Sequence, residues 1–287
     1  MYIIYHEDYK KHNATQFYHP ERPQRIVSIV EHLKKTGLWE KSEIISPAPA
    51  TGDDLLRCHS QFLISLVRRL SESGGSIDAD TPVEVGTYDI ALLAAGGTMK
   101  AAELAITKNK PAFSLVRPPG HHAEEERACG FCYFNNIAIA SRYLQNNGLA
   151  KRILIVDVDV HQGNGTQDIF YRDPTVFYLS LHQDPRTLFP GIGFVYESGD
   201  GDGKGYNANL PLPPGTSDTS YVEAFIEVFN RIADEFKPDI IMVSLGLDTH
   251  CDDPLASLRL TDNAYIEIAR EIHGRNLPVA ITLEGGY

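Results

Sequence analysis

Two adjacent imidazoles, His121 and His122, follow a diproline turn in "SLVRPPGHHAEE", and "DVDVH" sets Asp157, Asp159 and His161 at alternate positions. Neighbouring side chains on a strand or helix point in different directions. Tandem histidines can therefore be loop residues on the surface, two metal ligands, or a pair that moves protons. The choice depends on what else reaches the same place. With the two-residue period of a strand, Asp157, Asp159 and His161 project to one side, and Val158 and Val160 to the other. Two carboxylates and an imidazole at a buried strand end are costly unless a cation or hydrogen-bond partners compensate. Asp159, His161 and the distant Asp248 of "SLGLDTH" would give a divalent cation two oxygens and one nitrogen. Three protein ligands leave a position open for water and substrate, as in a catalytic zinc site. A metal-activated water needs a base for its proton and a departing amine needs an acid, work that suits paired histidines. Asp157 could hold the second nitrogen of one imidazole and Asn164 that of the other. One ring would then be more easily protonated than its neighbour.

Residues this far apart meet only if the fold collects them. The chain alternates helix-period segments with short β-rich runs: "AFSLV", "RILIVDVDV", "TVFYLSLH", "DIIMVSLGLD" and "LPVAITLEGG". Near-continuous apolar strands separated by helices imply a parallel sheet covered on both faces. The polar residues begin where those strands end, and the carboxyl ends of a parallel sheet share one edge, where ligand crevices form. "DDLLRCHSQFLISLVRRL" predicts one helix, with Leu55, Leu56, His59, Phe62, Leu63, Leu66, Val67 and Leu70 at helical spacing and Asp53 or Asp54 as N-cap. "YDIALLAAGGTMKAAELAI" and "YVEAFIEVFNRIADEF" predict two more. The Gly/Pro-rich "FPGIGFVYESGDGDGKGYNANLPLPPGTSD" is too long for a routine connection and reads as a functional loop packed on the sheet. Its "DGDGKG" is not an EF-hand, because Pro211 stands where the loop-closing Glu is required.

At 287 residues the chain suits one sizeable α/β domain, here taken as residues 1–287. The net charge of −12 argues against general binding to nucleic acid or anionic membranes and suits a cationic substrate. No apolar run is expected to span a membrane, and the N-terminus lacks a signal-peptide pattern. Four cysteines form no disulfide framework in a chain this long, so a reduced, cytoplasmic setting is expected. "CGFC" (Cys129–Cys132) has redox or zinc spacing but lacks a second ligand pair, and reads as small buried thiols.

The ordered motifs "YHPERPQR", "RPPGHHA", "GFCYFNN", "VDVDVHQGNGT", "YLSLHQD", "FPGIG", "GYNANLPLPPG", "SLGLDTH" and "LEGGY" resemble the zinc-dependent histone deacetylase and acetylpolyamine amidohydrolase superfamily along essentially the whole chain. The resemblance implies a three-layer arginase/deacetylase fold, α/β, with about eight parallel strands between helical layers. It implies removal of acetyl or other acyl groups from acetyl-lysine or related amines, with acetylpolyamine hydrolysis or silent acyl-ligand binding as alternatives. It carries one Zn2+ onto Asp159, His161 and Asp248, and general base and acid duty onto His122 with His121 as electrostatic partner. Asp157 becomes the support of His121 and Asn164 that of His122, and the Tyr287 hydroxyl the donor to the acyl oxygen. Phe131 and Phe189 become channel walls, with Gly130 and Gly286 also at the substrate, Arg25 at an inner cavity and Asp80 at the rim. A structural K+ would sit by Asp157, Asp159, His161, Ser180 and Leu181. Asn164, Glu284 and "LPLPPG" depart from the classical nuclear pattern and favour a microbial, class II-like member. The chain stops at Tyr287 where relatives continue, so the C-terminal segment is expected to be missing and the last Tyr poorly anchored. An arginase-like reading with two manganese ions would need further carboxylates, and "GHHA" and "GGY" argue against it.

Overall fold

The structure is a computed structural model that describes residues 1–13 and 18–287. Its eight-stranded sheet is built from β1 (Tyr2–Ile4), β2 (Glu43–Ile45), β5 (Ala112–Ser114), β6 (Ile153–Asp157), β7 (Val176–Gln183), β8 (Asn207–Leu212), β9 (Ile240–Leu245) and β10 (Val279–Leu283). The remaining strands, β3 (Gly75–Ser76) and β4 (Pro82–Val83), pair as a small antiparallel hairpin. All eight main strands are parallel, in the order β2-β1-β5-β10-β9-β6-β7-β8. Parallel neighbours need crossover connections, and those connections lay helices over both faces. The helices are α1 (Gln24–Lys35), α2 (Gly52–Leu55), α3 (Gln61–Ser73), α4 (Thr87–Lys108), α5 (Asn136–Asn146), α6 (Asn164–Phe170), α7 (Asp218–Phe236) and α8 (Asp262–Gly274).

Alternation along each strand divides the core. Ile153, Ile155, Tyr178, Ile240 and Met242 pack on one face with Ala101, Ala102, Ile137 and Leu144 of α4 and α5. Leu154, Val156, Leu179, Ile241 and Val243 pack on the other with Phe225, Phe229, Ile268 and Ile272 of α7 and α8. Val158 and Val160 continue the second set beyond the formal end of β6, so the side-to-side pattern outlasts the ladder. α4 carries paired glycines because the chain passes close by. A Cβ on Gly96 would lie 2.0 Å from the Ala48 carbonyl oxygen, and one on Gly97 2.8 Å from the Tyr9 hydroxyl. This helix corrects one expectation: Thr87–Lys108 is long and apolar enough, by length and composition, to cross a membrane, and 72% of its most apolar window is buried inside the protein.

Three other expectations change. The single helix over residues 53–70 is two: α2 is capped by Thr51, reciprocally with Asp54, and α3 by Ser60. The break frees His59 and Ser60 for partners elsewhere. His59 bonds the Glu124 carbonyl and the Asn135 amide, and the Ser60 amide donates to the Glu125 carbonyl. Leu56 and Phe62, expected on a buried stripe, are exposed. The long Gly/Pro-rich region is a loop only in part, since its Asn207–Leu212 forms the edge strand β8.

Candidate active site

Four adjacent strands, β5, β10, β9 and β6, deliver the chemistry at their carboxyl ends. His121 and His122 follow β5, Asp157 ends β6 with Asp159 and His161 just beyond, Asp248 follows β9, and Glu284–Tyr287 follow β10. Neighbouring strands lie roughly 4.8 Å apart, so side chains from these ends share one small volume.

Asp159, His161 and Asp248 are all buried and present ligand atoms within 4.8 Å of one another. The His161 Nδ1 lies 3.1 Å from Asp159 Oδ1 and 3.3 Å from Asp248 Oδ2. Backbone amides hold the carboxylates: Gly285 N donates to Asp159 Oδ2 at 2.7 Å, and Val160 N to Asp248 Oδ1 at 3.0 Å. Asp248 Oδ2 is buried without a hydrogen bond among the described residues. The electrostatics call for a cation. Burial and Asp159 push the Asp248 carboxyl up to about 6. Burial would lower His161, but the two carboxylates outweigh it and push the imidazole up to about 10. One nitrogen and two carboxylates, one with an orphaned oxygen, fit a divalent metal. The cradle also requires Gly285, whose Cβ would meet Asp248 Oδ2 at 2.0 Å and Asp159 Oδ2 at 2.6 Å. We expect Gly285→Ala to weaken divalent-metal binding by about 10–100-fold, the cost typical of losing a residue that orients ligands. Competition against a chromophoric chelator measures it, and unchanged affinity would mean the trio is not the metal's seat.

The two imidazoles lie beside this trio with centroids 4.0 Å apart and planes tilted by 43°. His121 Nδ1 pairs with Asp157 Oδ2 at 3.0 Å, and that oxygen also accepts the Tyr178 hydroxyl at 2.9 Å. His122 Nδ1 meets Asn164 Oδ1 at 2.7 Å. Asn164 Nδ2 donates to Glu124 Oε1 at 2.7 Å, which fixes the amide's orientation and makes His122 Nδ1 the N–H donor. His122 Nε2 has no protein partner among the described residues. The charges separate the rings. Burial opposes protonation of His121, yet Asp159 and Asp157 push it up to about 10. Burial, His121 and His161 together hold His122 well below the ordinary histidine range.

His122, His161, Phe131, Phe189, Gly130, Asp80 and Tyr287 line one cavity of about 620 Å³ that opens to solvent. The rings of Phe131 and Tyr287 meet edge to face at 5.8 Å, and those of His122 and Phe189 at 5.0 Å. Gly130 has φ +56°, and a Cβ there would meet His122 Cδ2 at 2.5 Å. Burial and Asp78 raise the Asp80 carboxyl. Tyr287 is not loosely held, contrary to expectation: its amide donates to Asp253 Oδ2 at 2.6 Å and its ring lies 4.9 Å from the Arg25 guanidinium. Gly286 does not line this channel. Its peptide, at φ +113°, turns toward Leu247, its carbonyl accepts Arg25 Nε at 2.6 Å, and it borders a second cavity with Arg25. Ser180 pairs in register with Asp157, while the Leu181 carbonyl already accepts the Tyr221 hydroxyl.

The sequence singled out no role for Tyr178, Glu124, Asp253 or Glu284. Glu284 is buried and accepts the Gly120 and His121 amides, and burial pushes its carboxyl up to about 7. "LEGGY" signalled that position, whereas Tyr178 lay in an ordinary strand and Asp253 in a polar turn.

A parallel sheet with Asp-x-His, a distant Asp and tandem histidines at its carboxyl edge has the groups that metal-assisted hydrolysis needs. The histone deacetylase domain family matches residues 19–287, and the chain belongs to that family, within the histone deacetylase and acetylpolyamine amidohydrolase superfamily. A probable deacetylase of Archaeoglobus fulgidus is 42% identical over 294 residues, covering 99% of this chain and 80% of that protein. The crystal structure of the HDA15 HD domain superposes with a TM-score of 0.94 at 35% identity, covering 100% of this chain and 83% of that one. Acetylpolyamine aminohydrolase from Burkholderia pseudomallei gives 0.89 at 28% identity, covering 100% and 94%.

Proposed function

We propose that this chain hydrolyses the amide of acylated primary amines, with acetyl-lysine in polypeptides as main substrate and zinc as its metal. The observation that carries this reading is His122. It is tied at Nδ1 to a neutral amide, its Nε2 has no partner among the described residues, and it shares a channel wall with His161 of the Asp159–His161–Asp248 trio. Zinc held by those three residues would supply Lewis acidity and lower the pKa of a water. His122 takes the water proton as the water oxygen bonds to the acyl carbon, and Tyr287 donates its hydroxyl hydrogen bond as charge gathers on the acyl oxygen. His121, paired at Nδ1 with the Asp157 carboxylate, is favoured in its protonated form and supports the charge of the site, leaving the base role to His122. The C–N bond then breaks as the amine nitrogen takes that proton from His122, and the second water proton passes from the new carboxyl group to the amine, so the products leave as carboxylate and ammonium. Phe131 and Phe189 flank the alkyl chain, and Asp80 at the rim accepts N–H groups of the substrate. A potassium ion beside Asp157, Ser180 and Leu181 would balance the buried negative charge there.

The acidic balance of the chain and the Asp80 carboxylate at the mouth favour a second reading, an acetylated polyamine as substrate. Metal-stripped and zinc-reconstituted protein should be assayed on an acetyl-lysine peptide, a longer-acyl peptide and acetylputrescine. We expect acetate release that returns with zinc, with kcat/KM on the acetyl-lysine peptide at least about tenfold above the others. A lead for acetylputrescine would select the second reading. No hydrolysis of any acyl amine after reconstitution would remove both.

A further inference from the structure

The segment after β10 touches every part of the site. Gly285 N holds Asp159, the Glu284 and Gly286 carbonyls accept the Arg25 guanidinium, and Tyr287 faces the channel. Its one side chain aimed at the histidines is Glu284, whose Oε2 accepts Gly120 N at 2.7 Å and His121 N at 3.1 Å. These amides need a partner. They follow Pro118 and Pro119, which have no N–H, and the β5 ladder has already ended. They are fully buried, where an unpaired N–H is rarely tolerated. The turn has no slack behind it, because a Cβ on Gly120 would lie 2.5 Å from Asn136 N and 2.8 Å from the Phe134 carbonyl oxygen.

We propose that Glu284 is a positioning residue: by gripping the Gly120 and His121 amides, it sets the distance from the tandem imidazoles to the segment that also holds Asp159 and Tyr287. This rests on the deacetylase reading for its kinetic consequence, although the geometry it describes does not. Both amides bond a single oxygen, so a glutamine can present its carbonyl oxygen to both. An aspartate keeps the charge but withdraws that oxygen by about one C–C bond, roughly 1.5 Å. Reach, rather than charge, is what positioning requires.

The test compares Glu284→Gln and Glu284→Asp in the zinc-loaded protein. E284Q should stay within about threefold of wild type in kcat, while E284D loses about 10²-fold in kcat with KM and bound zinc unchanged, the scale expected for a misplacement near 1 Å. Crystal structures of both variants supply a readout independent of turnover: the 2.7 Å contact from His122 Nδ1 to Asn164 Oδ1 should survive in E284Q and lengthen in E284D. A wild-type protein that hydrolyses no acyl amine sinks the functional reading and leaves the crystallographic comparison to decide this one. An E284D with wild-type kcat or unmoved imidazoles overturns the proposal. So does an E284Q as impaired as E284D, which would make the charge decisive. An E284D that cannot fold beside a fully active E284Q also overturns it, since that pattern marks a structural brace alone.

Discussion

Asp248→Asn is expected to leave the protein folded and strip it of metal, with kcat/KM reduced by more than about 10²-fold. Residues that merely orient a ligand typically cost 10–100-fold in metal affinity or activity, and Asp248 is itself a proposed ligand. Asn can retain the hydrogen bond from Val160 N at its Oδ1, so the local backbone has no reason to move. The change falls on Oδ2, the buried oxygen without a hydrogen bond among the described residues, where an amide N–H would point a donor into the place of a cation. Stability should move the opposite way. Burial and Asp159 raise the Asp248 carboxyl to about 6 from its ordinary 3.8, so the metal-free fold is penalised by its ionisation. The sign follows from linkage: the penalty is absent below the unfolded value, grows as pH rises between the two, and is complete above 6. Metal-free D248N should therefore melt above the metal-free wild type at pH 7 to 8, with the gap closing as pH falls toward 4. Elemental analysis and thermal melts check both halves. A variant that keeps full zinc occupancy would remove Asp248 from the ligand set.

The catalytic edge was legible because apolar runs such as "RILIV" and "IIMVSL" carry their polar residues directly after the point where the ladder stops. That juxtaposition needs no knowledge of tertiary structure. The strands at the far side had a weaker signal. β1 and β2 are three residues each: Tyr2–Ile4 is apolar and buried but too short to mark a strand, and the edge strand β2 is largely exposed. β8 was hidden for a different reason: its inward residues Asn207 and Asn209 bond Gln167 and Glu197 instead of filling an apolar core, so a buried strand looks polar in sequence.

Partners from distant segments were the harder class. Nothing local to "DDLLRCHSQF" reveals that His59 serves residues 124 and 135, and without that demand a continuous helix is the better fit to the pattern. The same holds for Asp253, which secures Tyr287 through a backbone amide, a group invisible to residue-type reasoning. The pairing of His121 with Asp157 and His122 with Asn164 was open to inference because an acid and an amide stood near the metal-type cluster with no other duty. Residue types alone left open which imidazole took which partner; the family resemblance placed Asp157 with His121 and Asn164 with His122, as the structure has them.

That partner choice decides the second large effect. His122→Ala should retain zinc and bind substrate with KM within a few fold of wild type, while kcat falls by about 10²–10⁴, the range for loss of a general acid–base. His122 makes its hydrogen bond to Asn164 rather than to the ligand trio, so its removal leaves the metal cradle intact. His121 is the poorer substitute, because its Nδ1 is tied to Asp157 Oδ2, whose charge favours the protonated ring. Deleting the ring opens space directly onto the channel, so added free imidazole should restore part of the lost rate in proportion to its unprotonated fraction. A packing defect would show no such recovery. Retained turnover in H122A would assign the proton transfer elsewhere, and a loss of zinc would show that His122 serves the metal site instead.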